Sequence, residues 1–221
     1  MPSLPRAILF DLDGTLADTA PDLAAALNRV RAEHGLDPAP YDVLRPVASA
    51  GARGLIEAAF HIRPGDGDYE ELKERFLNHY RQALAVESVL FDGIPALLEA
   101  LKNKGIRWGV VTNKISRFTD PLIVQFGLKE AACVVSGDTT PHSKPHPAPL
   151  LEAARLLGLP PGECWYVGDD LRDIQAGKAA GMATVAAAWG YCGHVEPQTW
   201  NADMMAEQPL AVLDLLKNTG A

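Results

Sequence analysis

Short runs of consecutive apolar residues recur along the chain and alternate with longer segments of helical periodicity. Five apolar runs have this character: Ala7–Phe10, Trp108–Val111, Ala132–Val135, Trp165–Val167 and Thr184–Ala188. Short, continuous apolar runs are typical of strands that are buried on both faces of a parallel sheet. Helical patterns lie between such runs, each followed by a glycine of the kind that ends helices: 95–104, 149–157 and 173–180. The alternation therefore predicts an α/β fold built from strand–helix–strand units.

The chain after the first strand departs from this alternation, because it carries helical patterns only. Three such patterns occupy it: 22–33, 54–60 and 69–86. We therefore predict two domains, a small helical insert at 18–88 and an α/β core formed by 1–17 and 89–221. Hinges between them are expected near Asp18 and at 89–93.

Polar residues follow four of the five predicted strands: Asp11, Thr112, Ser136 and Asp169. The carboxyl ends of parallel strands share one edge of a sheet, and ligands of open α/β sheets bind in the crevice outside that edge. We therefore predict that these four side chains converge on one crevice.

The sequence Phe10–Thr15 (FDLDGT) places two carboxylates at the end of the first strand. Asp11 and Asp13 are two residues apart, so they point the same way on an extended chain, and Gly14 allows the chain to bend. An Asp pair at this spacing is also common in solvated turns. The buried strand that runs directly into the pair favours a shared functional site instead.

A second acidic segment, Gly168–Asp173 (GDDLRD), follows the fourth predicted strand. Taken alone, it is consistent with the acidic first turn that helices favour. Beside Asp11 and Asp13, however, it would bring like charges together, and such a cluster requires a cation. Oxygen ligands without His or Cys favour a hard metal, Mg²⁺ first.

Two further segments bear groups that suit a phosphate. Lys144 lies in a proline-rich loop, Ser143–Pro147 (SKPHP), and Thr112 places a hydroxyl at the end of a strand. A lysine is ordinarily solvated, and a lone threonine carries little weight. Together with the acidic segments they form a set in which one carboxylate is a nucleophile and another a general acid and base. Mg²⁺ and Lys144 then neutralise a transferring phosphoryl group.

These four segments, with Thr112 and Asn113 forming the second, resemble the four motifs of the haloacid dehalogenase-like hydrolase superfamily in order and in spacing. The resemblance extends over essentially the whole chain, and the sequence most resembles the phosphoglycolate phosphatase-like group. It implies a Rossmann-like parallel sheet core, with the predicted insert forming the family's small α-helical cap domain.

The resemblance also implies a role for each matching residue. Asp11 would attack phosphorus to form an aspartyl-phosphate, and Asp13 would protonate the leaving alcohol and then activate water. Mg²⁺ would be held by the carboxylate of Asp11, the backbone carbonyl of Asp13 and Asp169. Asp173 would orient Lys144 or a metal-bound water. Four residues would bind the phosphoryl group: Thr112, Lys144, Gly14 and Asn113.

The presence of Asp13 bears on the type of reaction. Dehalogenases of this superfamily need no acid at that position, because a halide leaves unprotonated, whereas the alkoxide that leaves a phosphate ester needs a proton. The sequence therefore favours a Mg²⁺-dependent phosphomonoester phosphatase. Two alternatives stay open: a phosphomutase of the β-phosphoglucomutase type, which shares the four motifs and the cap, and a non-catalytic interaction protein that kept the fold.

The substrate is expected to be a small phosphorylated metabolite, and two are favoured: 2-phosphoglycolate and N-acetylmuramic acid 6-phosphate. The segment Ala48–Leu55 resembles the family's cap specificity loop, in which Arg53 would pair with a substrate carboxylate. The segment Tyr191–Asp203 resembles pseudomonad-type relatives that dephosphorylate N-acetylmuramic acid 6-phosphate and are often labelled phosphoglycolate phosphatases. The choice between the two substrates stays open at this point.

The overall composition narrows the classes of partner and location. The 221 residues include 28 acidic and 20 Lys or Arg side chains, for a formal net charge of −8, which argues against nucleic acid or an anionic membrane surface as a partner. Three cysteines without CxxC spacing argue against a disulfide framework. No apolar stretch is long enough for a signal peptide or a membrane span. We expect a cytoplasmic monomer or homodimer.

Overall fold

The computed structural model describes residues 3–218 and confirms the α/β class. The strands in this range are β1 (Ala7–Phe10), β2 (Ala17–Asp18), β3 (Val89–Leu90), β4 (Arg107–Val111), β5 (Val134–Val135), β6 (Cys164–Gly168), β7 (Ala183–Ala187) and β8 (Met204–Ala206). Six of them form one parallel sheet in the order β5–β4–β1–β6–β7–β8. The other two, β2 and β3, form a separate antiparallel pair.

The helices flank this sheet or form the insert. They are α1 (Ala20–Glu33), α2 (Tyr41–Leu44), α3 (Gly51–Phe60), α4 (Tyr69–Gln82), α5 (Ile94–Asn103), α6 (Ser116–Gln125), α7 (Ala148–Leu157), α8 (Leu171–Ala179) and α9 (Ala211–Asn218). Within residues 3–218, no helix combines the length and the apolar character that crossing a bilayer requires.

The apolar runs predicted the central strands because those strands are covered on both faces. All four residues of β1 are fully buried, and β1 pairs in parallel with β4 on one side and β6 on the other. The sequence pattern does not predict the edge strand β8, because the position of this strand depends on a contact with β7 that is distant along the chain. The carboxylate of Asp203 just before it accepts hydrogen bonds from the N–H (2.8 Å) and the hydroxyl (2.7 Å) of Thr184 in β7.

The helices of the predicted insert pack around a hydrophobic cluster of their own. Buried apolar residues of α1, α3 and α4 form most of it, and Phe118 and Tyr191 from outside the insert complete it. The boundaries of the two domains remain a prediction, and residues 1–2 and 219–221 of the predicted core lie outside the described part of the chain.

The chain leaves and rejoins the core at adjacent points. Asp18 of β2 pairs with Val89 of β3, at the positions where hinges are predicted. In the first turn of α1, the buried carboxylate of Asp22 accepts hydrogen bonds from the backbone N–H groups of the returning segment 86–88 and from the Ser88 hydroxyl. These bonds fix the start of α1 to the returning chain.

Candidate active site

The predicted functional side chains meet at the carboxyl edge of the sheet. The register of β1 with its two neighbours brings Asp11, Thr112 and Asp169 out at one edge. A cavity of about 310 Å³ opens between this edge and the helical insert. Ser136, which follows β5, is buried but is not part of the cavity wall. Six residues that the sequence singled out line the cavity: Asp11, Asp13, Thr112, Asn113, Lys144 and Asp173.

The ammonium group of Lys144 is buried and surrounded by oxygen atoms. Nζ lies 2.9 Å from Oδ1 of Asp11 and 2.7 Å from Oδ1 of Asp173. It also donates to the hydroxyl of Tyr166 (2.7 Å) and to the carbonyl of Val111 (3.2 Å). Burial by itself lowers the pKa of Lys144, but Asp11 and Asp173 outweigh burial and raise this pKa above its usual value. Lys144 therefore remains a cation in the interior.

The residues after β4 hold the Lys144 loop in place. The side chain of Asn113 accepts a hydrogen bond from the N–H of Lys144 (2.9 Å) and donates one to its carbonyl (3.0 Å). The oxygen and one hydrogen of the Asn113 side-chain amide are thus already bonded to the backbone of Lys144. The hydroxyl of Thr112 accepts a hydrogen bond from the N–H of Lys114 (3.1 Å) and retains its own hydrogen to donate.

Asp11 is a buried carboxyl in contact with opposing charges. Its Oδ1 accepts a hydrogen bond from the N–H of Leu12 (2.8 Å) in addition to its contact with Lys144. Burial is the largest influence on the pKa of Asp11 and raises it, Lys144 lowers it, and Asp173 and Asp13 raise it again, so that this pKa is about 7. Ionising Asp11 fully at neutral pH therefore requires further positive charge nearby.

Asp169 is fully buried beside Asp11 and Asp173. Burial, and then the charges of these two neighbours, raise the pKa of Asp169 well above its ordinary value. Three donors bind its oxygens: the hydroxyl of Thr15 (3.0 Å), the hydroxyl of Ser49 (3.1 Å) and the N–H of Tyr191 (2.9 Å). The hydroxyl of Ser49 comes from the insert, so the insert contacts this carboxylate directly.

Gly14 leaves room for the carboxylate of Asp169, a role that the sequence does not predict. Its φ is +84°, and a Cβ atom at this position would lie 2.1 Å from Oδ2 of Asp169. Only glycine leaves room for that carboxylate. The N–H of Gly14 donates to the carbonyl of Ala17 (2.9 Å). Gly14 therefore makes space for Asp169, and its contact with the phosphoryl group stays a prediction.

The buried carboxylates are suited to a hard cation. Oxygens of Asp11, Asp169 and Asp173 lie within 4.8 Å of one another. Like charges this close, with raised pKa values at Asp11 and Asp169, are stabilised by a bound divalent ion, and an all-oxygen donor set suits Mg²⁺. The oxygens of Asp173 already accept from Lys144 and from the N–H of Asp170. Asp169 accepts only from uncharged donors, and the contacts of Asp11 named above are all on Oδ1, so these two carboxylates fit a cation better than Asp173 does.

Asp13 forms an ion pair with Lys114, a residue to which the sequence motifs assign no role. Nζ of Lys114 lies 3.1 Å from Oδ1 of Asp13 and donates to the hydroxyl of Tyr80 in α4 (3.1 Å). The hydroxyl of Thr19 donates to the same Oδ1. Burial lowers the pKa of Lys114, but Asp13 and Tyr80 outweigh burial and hold this pKa above its usual value. The sequence feature that could have pointed to Lys114 is its position directly after Thr112 and Asn113.

Tyr166 is a second functional contact that the sequence did not reveal. Its hydroxyl donates to the carbonyl of Val111 (2.9 Å), lies 3.1 Å from Oδ1 of Asp173 and accepts from Lys144. Burial, followed by the charges of Asp173 and Asp11, raises the pKa of Tyr166 well above its ordinary value. Tyr166 lies within the apolar run Trp165–Val167, which predicts a core strand, so the sequence gives no sign that its hydroxyl reaches the site.

The segment before α3 connects the insert to the site, whereas Arg53 does not. Arg172 forms a two-pronged ion pair with Asp170 (2.8 and 2.9 Å) and donates to the carbonyl of Ser49 (2.8 Å). The Ser49 hydroxyl donates a hydrogen bond to the carboxylate of Asp169, as described above. Arg53, by contrast, is exposed and does not line the cavity. The geometry therefore gives no support to the expectation that Arg53 binds the substrate.

Comparison with known proteins finds relatives along almost the whole chain. The model of the haloacid dehalogenase-like hydrolase family matches residues 8–187. The N-acetylmuramic acid 6-phosphate phosphatase of Pseudomonas aeruginosa is 44% identical over 214 residues, which cover 96% of this chain and 94% of that protein. A phosphoglycolate phosphatase of Xanthomonas campestris is 45% identical over 208 residues, 93% of each chain. The two sequence relatives thus carry different substrate names at nearly equal identity.

A solved structure is similar over the same extent. The crystal structure of a predicted phosphoglycolate phosphatase from Haemophilus somnus 129PT matches with a TM-score of 0.86 at 29% identity. The match covers 96% of this chain and 98% of that chain.

Proposed function

This chain belongs to the haloacid dehalogenase-like hydrolase family and is a phosphatase, and we propose that its substrate is N-acetylmuramic acid 6-phosphate. We further propose that it uses Mg²⁺ and that Asp11 is the nucleophile. The observation that supports the sugar substrate is the size and lining of the cavity in front of Asp11. The supporting observation for the chemistry is the set of buried charges around Asp11, Asp13 and Lys144.

The cavity has room and apolar surface for more than a phosphate group. Its volume is about 310 Å³, and five apolar side chains contribute to its wall: Leu23, Phe76, Leu77, Ile115 and Phe118. Cavities of roughly 300–1,000 Å³ hold ligands larger than simple acids. The two-carbon acid of 2-phosphoglycolate would leave most of this apolar wall uncovered, whereas the acetamido and lactyl groups of an amino sugar would cover it.

In the first step, Asp11 attacks the phosphorus atom. The bond between a carboxylate oxygen of Asp11 and phosphorus forms while the bond from phosphorus to the sugar oxygen breaks. Asp13 gives its proton to that sugar oxygen. Because Oδ1 of Asp13 accepts from Thr19 and Lys114, we assign the proton to Oδ2. The Lys144 ammonium and the Thr112 hydroxyl donate to the phosphoryl oxygens.

In the second step, water displaces Asp11 from phosphorus. Asp13, now a carboxylate, takes a proton from the water, and the bond between phosphorus and Asp11 breaks to release inorganic phosphate. The Lys114 ammonium, 3.1 Å from Oδ1 of Asp13, holds that side chain in position for both proton transfers. The carboxylates of Asp11 and Asp169 and the backbone carbonyl of Asp13 would hold Mg²⁺, which when bound would supply positive charge to offset the carboxylates and the phosphoryl group.

The proposed function is tested by measuring phosphate release with Mg²⁺ from a panel of phosphate esters. The panel contains N-acetylmuramic acid 6-phosphate, 2-phosphoglycolate and several hexose phosphates. We expect the highest kcat/KM for N-acetylmuramic acid 6-phosphate and one phosphate released per alcohol formed. A higher kcat/KM for 2-phosphoglycolate would contradict the substrate assignment. Isomerised hexose phosphate without free phosphate would indicate a mutase.

Metal binding at the acidic cluster predicts a stability change that does not depend on turnover. Adding Mg²⁺ at about 100 times its Kd is expected to stabilise the fold by about 2.7 kcal/mol, which corresponds to a rise in Tm of about 5–10 °C for a chain of this size. The reason is that Mg²⁺ relieves the repulsion between Asp11, Asp169 and Asp173. Thermal unfolding followed by circular dichroism measures the shift.

The matched variants for this measurement are Asp169→Asn and Asp214→Asn. Asp169→Asn removes a proposed ligand and is expected to abolish the Mg²⁺-induced shift. Asp214 forms an exposed pair with Lys217, so Asp214→Asn should keep the full shift. An unchanged shift in Asp169→Asn would show that Mg²⁺ binds elsewhere.

The role of Asp13 predicts a dependence on the leaving group. Asp13→Asn should lower kcat for the sugar phosphate by roughly 10²–10⁴-fold, the range expected when a general acid is lost. p-Nitrophenyl phosphate has a leaving group that needs no proton, so the first step should persist. Rapid mixing should then show a burst of about one p-nitrophenolate per enzyme before a slow steady state. An equal loss of the burst and of sugar phosphate turnover would contradict this role.

A further inference from the structure

A lysine of the insert contributes to the cavity wall. Lys73 lies on α4 and lines the cavity together with Phe76 and Leu77 of the same helix. The spacing of three and four residues places these side chains on one helix face. Lys73 is half-buried, so it is accessible to a ligand in the cavity.

The other cations that line the cavity in the described part of the chain are each engaged by at least one carboxylate. Lys144 contacts Asp11 and Asp173, and Lys114 contacts Asp13. Arg172 holds Asp170 with two nitrogens and also binds the carbonyl of Ser49, as described above. Each of these cations would have to leave a carboxylate in order to bind a second anion of the substrate.

The partners of Lys73 hold it more weakly. Nζ lies 3.0 Å from Oε2 of Glu70, and the two side chains are 39% and 77% exposed. Solvent screens an exposed pair of this kind, so it contributes little. The ring of Tyr69 lies 5.9 Å from Nζ. Lys73 can therefore exchange Glu70 for an anion in the cavity without leaving a buried charge unpaired.

We propose that Lys73 binds the carboxylate of the substrate and thereby selects phosphate esters that carry a second, acidic group. The inference rests on the proposed phosphatase function, and it holds for either candidate substrate, since both contain a carboxylate. The phosphoryl end of the substrate is bound at Lys144, among the acids of the core. Those acids repel a carboxylate, which therefore turns toward the wall of the cavity where Lys73 offers a weakly paired cation.

The test compares two sugar phosphates that differ only in the acidic group. N-acetylglucosamine 6-phosphate lacks the lactyl ether and its carboxylate but is otherwise the same ester. The measured quantity is the ratio of kcat/KM for N-acetylmuramic acid 6-phosphate to that for N-acetylglucosamine 6-phosphate. Lys73→Gln should lower this ratio roughly 10- to 100-fold, the range expected for a lost hydrogen bond to a charged group. The change should lie in KM rather than in kcat.

Three further variants separate charge recognition from a structural effect. Lys73→Arg keeps the charge and should retain most of the ratio. Lys217→Gln removes a helical lysine that pairs with Asp214 at the same spacing, and it should leave the ratio unchanged. Arg53→Gln should also leave it unchanged. A ratio that is unaffected by Lys73→Gln, or that collapses in Arg53→Gln instead, would overturn the proposal.

The experiment distinguishes failure of this inference from failure of the proposed substrate. If the wild-type protein prefers 2-phosphoglycolate, the same ratio is measured for 2-phosphoglycolate against ethylene glycol phosphate, which lacks the carboxylate. A fall in that ratio in Lys73→Gln supports carboxylate recognition by Lys73 although the sugar assignment fails. A constant ratio refutes the role of Lys73 whichever substrate is preferred.

Discussion

Asp11→Asn is expected to abolish phosphate release, with a loss of at least about 10⁴-fold in kcat, as is usual when the nucleophile of a covalent mechanism is removed. The amide cannot form the bond to phosphorus. The fold should survive, because Asn retains an oxygen that accepts from Lys144 and from the N–H of Leu12. Removal of one negative charge beside Asp13 and Asp173 should leave Tm unchanged or raise it.

The covalent step gives this prediction a second readout. When wild-type protein is quenched in acid during turnover, mass spectrometry should find a phosphoryl group on the peptide that contains Asp11. The group should be released by hydroxylamine and be absent from Asp11→Asn. Asp214→Asn, which changes an exposed carboxylate, is the matched control and should behave like the wild type. Turnover by Asp11→Asn, or a phosphoryl group on another residue, would contradict the assignment of the nucleophile.

The parts of this site that the sequence predicted depend on short sequence segments and on the fact that the carboxyl ends of parallel strands share one edge of the sheet. The apolar residues of β1 identify a buried strand, and a parallel arrangement forces Asp11, Thr112 and Asp169 to one edge. Lys144 was predicted because prolines constrain its loop next to motifs of known chemistry. None of these inferences requires knowledge of which side chains touch each other.

The parts that were missed depend on contacts between segments that are distant along the chain. Lys114 follows a predicted strand, but its role arises from Asp13 in one segment and Tyr80 in another. Tyr166 has the pattern of a core residue, and only the fold brings its hydroxyl to Lys144.

Gly14 and Arg53 have surroundings that their motifs do not predict. A motif gives the residue type, whereas hydrogen bonds and exposure decide what that residue does. The N–H of Gly14 is bonded to Ala17, and Arg53 lies outside the cavity wall. In both cases the decisive fact is the direction in which a group points, which the pattern of residue types does not record.

The contacts around Lys144 show why activity and stability are joined at this site. Asp11 and Asp173 share one buried ammonium group, at 2.9 and 2.7 Å. Buried ion pairs add little net stability compared with apolar packing, yet removing one member leaves the other charges unpaired in the interior. The buried ammonium group of Lys144 is nevertheless needed for activity, because the transferring phosphoryl group requires the same positive charge that neutralises the two carboxylates.

Lys144→Met is therefore expected to damage both properties. Loss of the shared cation should lower the free energy of unfolding by about 3–5 kcal/mol, which corresponds to a fall in Tm of about 6–20 °C. The kcat should fall by roughly 10³-fold, the upper part of the range for removal of one preorganised donor to a developing charge. Lys102→Met is the matched control, because Lys102 forms an exposed pair with Glu130, and it should change neither quantity measurably.

A double variant separates the two effects of this lysine. Lys144→Met combined with Asp173→Asn removes one of the two unpaired charges, so it should recover part of the lost Tm. It should not recover kcat, because the phosphoryl group still lacks its ammonium donor. Thermal unfolding and phosphate release on the same preparations measure both quantities. If kcat and Tm recovered together, the role of Lys144 would be structural only, and the positive charge for the phosphoryl group would have to come from another residue.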